Sequence, residues 1–202
     1  MDTSTAAAAR GPIPLVIGLD LSLTSTGIAG VDWACALRPK GGLRGHPRID
    51  WQLREINERT RAADLVMVEG PAHRHGAQAG HHEMAGLWWH VTQSLWRRGI
   101  PYAVVPPVNR IIYACGRANP AKDHPAKERS RVAKGMVRDA LATRFGLECE
   151  GVGRYDMADA GVMAHMGRDW LGYPVAEVPL THRRALDGVA WPTTAQTLVR
   201  DA

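Results

Sequence analysis

The chain has 202 residues, enough for one domain with a sizeable core. It carries a net charge of +5 and a sequence pI near 9.4, which permits a polyanionic partner without requiring one. Its three cysteines (Cys35, Cys115 and Cys149) are widely spaced and odd in number, which excludes a disulfide framework and the common zinc spacings and makes a reducing cytosol the expected setting.

Met1–Arg10 is Ala-rich with no basic start and no apolar stretch, so no secretory signal is expected. Residues 1–13 are expected to be a disordered lead-in. Leu15–Asp20 is a continuous apolar run, as in a strand buried on both faces, and it ends in a lone acid. Ser22–Gly27 is rich in turn residues, and Gly27–Val31 returns as a second strand. The Thr24, Ser25 and Thr26 hydroxyls are expected to satisfy the turn backbone. Ala34–Leu37 suggests a third, short strand, and Gly41–Pro47 a loop. Ile49–Ala63 has the pattern of a charged amphipathic helix. Leu65–Glu69 is a second apolar run ending in an acid, closed by Gly70-Pro71.

Ala72–Gly80 is a His- and Gly-rich loop. His73, His75, His81 and His82 fit no common zinc spacing, so this segment is expected to meet DNA or solvent. His82–Arg98 is a helix with Met84, Leu87, Trp88, Val91 and Leu95 on one face. Trp88 is expected in the core and Trp89 at a dimer contact or the core margin. Tyr102–Val105 is a strand ended by Pro106-Pro107, Val108–Ala114 a short helix, and Cys115–Pro125 a loop. Ala126–Phe145 is a long basic helix and Arg154–Arg168 the last helix. The remainder, with Pro174, Pro179 and Pro192, is expected to be mostly irregular, with His182 and its neighbours Arg183 and Arg184 available to a dimer or to DNA. Every long apolar run is broken by a charge, so no membrane span is expected. The element order indicates an α/β fold with a mixed five-stranded sheet flanked by helices on both faces.

Charge is concentrated between Arg110 and Arg138, where eight basic residues face two acids, Asp123 and Glu128. Such a one-signed stripe is the footprint expected of a phosphate-backbone contact. Four acids complete the pattern. Asp20 and Glu69 close two strands at the edge where open α/β sheets place their sites, and Asp156 and Asp159 share one helical face. Each has an ordinary use alone: Asp20 can begin a turn, Glu69 can be a solvated strand end, and Asp156 can favour a helix N-terminus. Together they would repel unless a hard cation with oxygen ligands joined them. Two Mg²⁺ ions roughly 3.5–4 Å apart would suit in-line phosphodiester displacement.

Ile17-Gly18-Leu19-Asp20 with Ser22–Gly27, then Val68-Glu69, then Asp156-x-x-Asp159, resembles the RuvC-type Holliday junction resolvases of the RNase H-like superfamily. Cys115-Gly116-Arg117-Ala118-Asn119-Pro120-Ala121-Lys122-Asp123 is similar to the Gly-rich, Lys-bearing loop of phage and actinobacterial members. The resemblance spans roughly residues 14–170, leaving 171–202 as a C-terminal extension. It implies a homodimeric, Mg²⁺-dependent endonuclease, with Mn²⁺ able to substitute, that cuts branched DNA, above all four-way junctions, in recombination and repair. The setting it implies is cytoplasmic, in a nucleoid or a phage-infected cell. Products would be a 5′-phosphate and a 3′-hydroxyl. Carried over residue by residue, Asp20, Glu69, Asp156 and Asp159 are the metal ligands and Lys122 the cation near the scissile phosphate. Arg117, Lys122, Lys127, Arg129, Arg131 and Lys134, with His73, are the expected DNA contacts. Some resolvases place a wedging aromatic just after the second acid; here Pro71, Ala72 and His73 stand there.

Three other functions share some of these features. A broader flap or branch nuclease, or a non-catalytic DNA-binding module, is compatible with the same fold. An actin-like phosphotransferase would also use Asp20 and its turn, but it needs a second domain and a second Gly-rich motif that this sequence lacks.

Overall fold

The computed structural model describes residues 12–71 and 80–193. Most of the N-terminal lead-in, His73, His75 and the end of the C-terminal extension lie outside these residues.

Five strands form one mixed sheet: β1 (Val16–Asp20), β2 (Thr26–Ala29), β3 (Ala34–Leu37), β4 (Leu65–Glu69) and β5 (Tyr102–Val105). Their order is β3-β2-β1-β4-β5. β1 pairs antiparallel with β2 and parallel with β4, and β4 pairs parallel with β5. The parallel β1–β4 register sets Leu19 beside Val68. Asp20 and Glu69 are therefore the next step along both strands.

Helices cover both faces. α1 (Gly45–Arg59) and α2 (His81–Arg97) lie on one side; α3 (Pro107–Cys115), α4 (Arg129–Phe145) and α5 (Arg154–Trp170) lie on the other. The period-two alternation of each strand decides which side chain meets which layer. Ile17, Leu19, Val66 and Val68 pack with Ile56, Leu87, Val91 and Leu95 under α1 and α2. Val16, Leu65 and Met67 pack with Val162, Met163 and Met166 under α5. The same alternation turns Asp20 and Glu69 toward α5, because each sits an even number of residues from those apolar neighbours. Burying a large aliphatic side chain is worth about 1.5–3 kcal/mol, so these two clusters fix the register firmly.

α5 lies on the sheet with little clearance. A Cβ at Gly18 would collide with the Ala160 carbonyl, and one at Gly27 with the Asp156 carbonyl. These two glycines therefore let the acid-bearing turns of α5 approach β1 and β2 backbone to backbone.

Some boundaries differ from the sequence expectation. α1 begins at Gly45 rather than Ile49, because Pro47 falls in its first turn, where a missing N–H costs nothing. α4 begins at Arg129 rather than Ala126; residues 120–127 form turns ahead of it. The segment after Trp170, expected to be mostly irregular, forms α6 (Leu180–Arg183) and a 3₁₀ turn over Arg184–Gly188. Val178, Ala185, Leu186 and Val189 are buried in the α5-side core, and Ala190 bridges Val104 on the outer edge of β5. This edge is thereby covered rather than left open for pairing. Among the described residues no helix is long and apolar enough to cross a membrane. All three cysteines are free.

Candidate active site

Three elements deliver three acids to one place: Asp20, buried at the end of β1, Glu69, half-buried at the end of β4, and Asp159, buried in the second turn of α5. The β1–β2 turn beside Asp20 is held internally. Thr24 and Ser25 donate backbone N–H groups to Ser22 Oγ at 3.3 and 3.4 Å. Thr26 accepts from the Ser22 N–H at 3.1 Å and donates to Gln52 Oε1 at 2.7 Å. Gln52, fully buried on α1, also donates to the Leu23 carbonyl at 3.2 Å. The Ser25 hydroxyl departs from expectation: it is buried and has no hydrogen-bond partner among the described residues. On β4, Trp88 donates its indole N–H to the Glu69 carbonyl at 3.1 Å, fixing the strand end that carries the carboxylate. Trp88 is thus half-buried and used, whereas Trp89 is exposed.

A residue outside the sequence-derived site completes the cluster. Arg110, on α3, forms ion pairs with Glu69 (Nη2 to Oε1, 3.0 Å) and with Asp159. Its side chain is 9% exposed. The signal for it was present: Arg110 shares one helical face with Tyr113 and Ala114, both buried, and a cation on a core-facing position demands an anion.

One guanidinium cannot neutralise three carboxyls. Burial, and then the neighbouring Glu69 charge, hold the Asp20 carboxyl well above the ordinary carboxylate range; Arg110 opposes this, and Asp156 adds to it. Asp156 is half-buried, one turn before Asp159.

Beside the acids is a cavity of about 570 Å³. Arg110 and Asp159 form its inner wall, and Asn119, Lys122, Arg129 and Lys134 its outer wall. Of the expected DNA contacts, Lys122, Arg129 and Lys134 thus line one cavity with Asp159. Lys127 and Arg131 are exposed on the same segment but stand outside the cavity. Arg117 is exposed, and its guanidinium donates to the Pro120 carbonyl at 2.9 Å, shaping the loop that carries Lys122. His182 and Arg183 are taken up within the chain: His182 meets the Tyr113 carbonyl at 2.9 Å, and Arg183 pairs with Asp169 at 2.9 Å.

Compared with known proteins, the chain is similar to two solved structures of Thermus thermophilus RuvC, one of them in complex with a Holliday junction substrate. Identity is 18% in both, and the match covers 82% of this chain and 99% of theirs, with TM-scores of 0.51 and 0.50. No protein-family model and no curated relative matches the sequence. The shared feature is the fold: a mixed five-stranded RNase H-like sheet with helices on both faces.

Among the described residues, no group of three His, Cys, Asp or Glu side chains is arranged to hold a metal ion, since the acids face Arg110 instead. The donor set itself suits a hard cation. All donors are carboxylate oxygens, the cluster carries an excess of negative charge, and buried Glu69 Oε1 receives no well-directed hydrogen bond; its contact with Arg110 is an ion pair by distance alone.

Proposed function

We propose that the protein is a metal-dependent, structure-selective DNA endonuclease that resolves four-way junctions by paired phosphodiester hydrolysis. The observation that carries this reading is the under-neutralised trio of Asp20, Glu69 and Asp159, of which Asp159, with Arg110, borders a cavity walled by Lys122, Arg129 and Lys134. Acids that need a cation, next to cations that need an anion, match a phosphodiester and a divalent metal. The likeness to a RuvC structure that contains a Holliday junction supports the choice of branched DNA.

In this reading Asp20, Glu69 and Asp159 would hold Mg²⁺ or Mn²⁺, two ions for preference, with Asp156 as the outer ligand or the acceptor that orients the attacking water. The metal supplies charge stabilisation on phosphorus and eases deprotonation of that water. Lys122 stands over the scissile phosphate, and Arg129 and Lys134 hold the flanking backbone, contacts that give affinity without sequence information. Arg117, Lys127 and Arg131 extend the track beyond the cavity, and His73 is proposed as a further contact.

A homodimer belongs to the same proposal, since a two-fold junction needs two sites. It is supported by Trp89 and Trp96, 67% and 71% exposed and two turns apart on one face of α2, beside a hollow formed with Gly86, His90 and Gln93.

The test is cleavage of a labelled mobile four-way junction, beside duplex and flap controls, with Mg²⁺, Mn²⁺ or EDTA. Paired symmetric nicks that require metal establish the reading. Equal cutting of flaps replaces it with a broader branch nuclease. Binding without any cleavage leaves a DNA-binding module.

A further inference from the structure

Arg110 stands where a cation would have to go. It is paired to Glu69 and Asp159, two of the three acids that would hold a metal, and it is buried with them. A guanidinium and a divalent ion cannot both satisfy the same carboxylate oxygens in so confined a space. Arg110 is also part of the wall of the cavity that Lys122, Arg129 and Lys134 line. Arg110 therefore borders both the carboxylates and the cavity, and its Nε and Nη1 are buried with no well-directed hydrogen bond among the described residues.

We propose that Arg110 is an exchangeable counter-ion: divalent cation binding displaces its guanidinium from Glu69 and Asp159, and the released guanidinium turns into the cavity to pair with DNA phosphate. This inference rests on the endonuclease reading and specifies how its two ligands communicate. Before exchange, the acids are partly neutralised by Arg110, which keeps the buried cluster tolerable without metal. After exchange, the metal neutralises the acids, and a phosphate must neutralise Arg110. Metal and DNA each remove the cost that the other would otherwise meet, so their binding is positively and reciprocally coupled. Arg110 acts on the metal through Glu69 and Asp159, as a positioning residue.

The experiment is calorimetric titration of Mn²⁺ into the full-length protein, its Arg110→Lys variant and its Arg110→Gln variant, with no DNA present. Loss of the competing guanidinium is expected to tighten Mn²⁺ binding in Arg110→Gln by about ten-fold, within the usual range of coupling energies. Arg110→Lys, whose ammonium cannot fork across two carboxylates, is expected to tighten it by a smaller factor. A parallel titration with diamagnetic Mg²⁺ follows the Arg110 Nε–H resonance of the wild type, assigned by its absence in Arg110→Lys. That resonance is expected to move with the same midpoint as metal loading. Equal or weaker Mn²⁺ binding in the variants, or a resonance that stays still while metal loads, overturns the exchange and leaves the endonuclease reading intact. If Arg110→Gln does not fold without metal, Arg110→Lys and the resonance decide. If wild type and variants all fail to bind Mn²⁺, the exchange and the metal-dependent reading fall together, and the absence of junction cleavage in Mn²⁺ identifies that outcome.

Discussion

Asp159 and Asp169 lie on the same helix, ten residues apart, and each is 3% exposed. Their surroundings differ completely. Asp169 accepts from the Tyr113 hydroxyl at 3.1 Å and from Arg183, whose Nε and Nη2 lie 3.0 and 2.9 Å away. It is one acid with a dedicated cation and a neutral donor, and this cluster ties α5 and α3 to the C-terminal extension. Asp159 shares a single arginine with Glu69, beside an Asp20 that burial and Glu69 push up. Burial of a carboxylate therefore does not distinguish a structural acid from a functional one. The balance of charge around it does. Asp169 is satisfied within the chain, whereas the Asp159 cluster is satisfied only when something joins it.

That contrast can be broken by substitution. The largest effect is expected from Asp20→Asn, which removes an acid the fold holds at a cost. Junction cleavage should fall by about 10³-fold, in the range of losing one charge-stabilising group. Because the folded state raises the Asp20 carboxyl above its ordinary range, the ionised form destabilises the fold at neutral pH, and the melting temperature of Asp20→Asn should rise. Single-turnover kinetics and a thermal melt on one preparation check both signs. A fall in both would mean that Asp20 is structural.

Asp169→Ala should do the reverse. Removing the buried acid leaves the Tyr113 hydroxyl without its acceptor, while the half-exposed Arg183 can turn to water, and the loss is expected to cost about 1–3 kcal/mol of stability. Urea unfolding reads this directly. Cleavage per folded molecule should be unchanged at a temperature where the variant remains folded.

A third effect lies between the two acids. His165 is 1% exposed, stacked on Phe145 at 3.9 Å between ring centroids, and neither ring nitrogen has a hydrogen-bond partner among the described residues. Burial, and then the Arg168 charge, lower it from 6.5 to about 4, against a small opposing influence of the Val31 backbone. The unfolded chain thus binds the proton first as pH falls. Stability should drop as pH goes from about 6.5 toward 4, by about 3 kcal/mol for this group alone. His165→Leu should flatten that part of the profile, measured by urea unfolding at intervals of pH. An unchanged slope would assign the loss to other groups.

The smallest effect concerns the cavity wall. Lys134→Ala should weaken junction binding modestly and reduce the slope of log K against log salt by about 1, as expected for one lost phosphate contact. Fluorescence anisotropy over a salt series measures it. An unchanged slope would remove Lys134 from the DNA track.

Much of this was legible in the sequence for a simple reason. A strand buried on both faces reads as an unbroken apolar run, so β1, β4 and their terminal acids stand out, and the three-residue spacing of Asp156 and Asp159 marks one helical face. Arg110 reads first as part of a basic stretch, and its shared helical face with Tyr113 and Ala114 signals burial without naming a partner. Its partner acids are 41 positions before and 49 after it, so only the packing of α3 against α5 shows which acids it meets. The C-terminal extension was hidden for a different reason. Val178, Leu186 and Val189 follow neither a helical nor a strand period, so their burial arises from tertiary contacts such as Asn109 donating to the Ala185 carbonyl at 2.7 Å and Trp170 stacking on Trp191. Gln52 was likewise invisible: a lone amide on a charged helix shows its role only once the β1–β2 turn lies beside it.

The most direct measurement is the rate of four-way junction cleavage against Mg²⁺ concentration for Asp159→Asn and Asp169→Asn, both at a temperature where each is folded. The account predicts no cleavage by Asp159→Asn at any Mg²⁺ concentration and a wild-type curve for Asp169→Asn. Wild-type cleavage by Asp159→Asn would contradict it, because the acid cluster would then not be the catalytic centre.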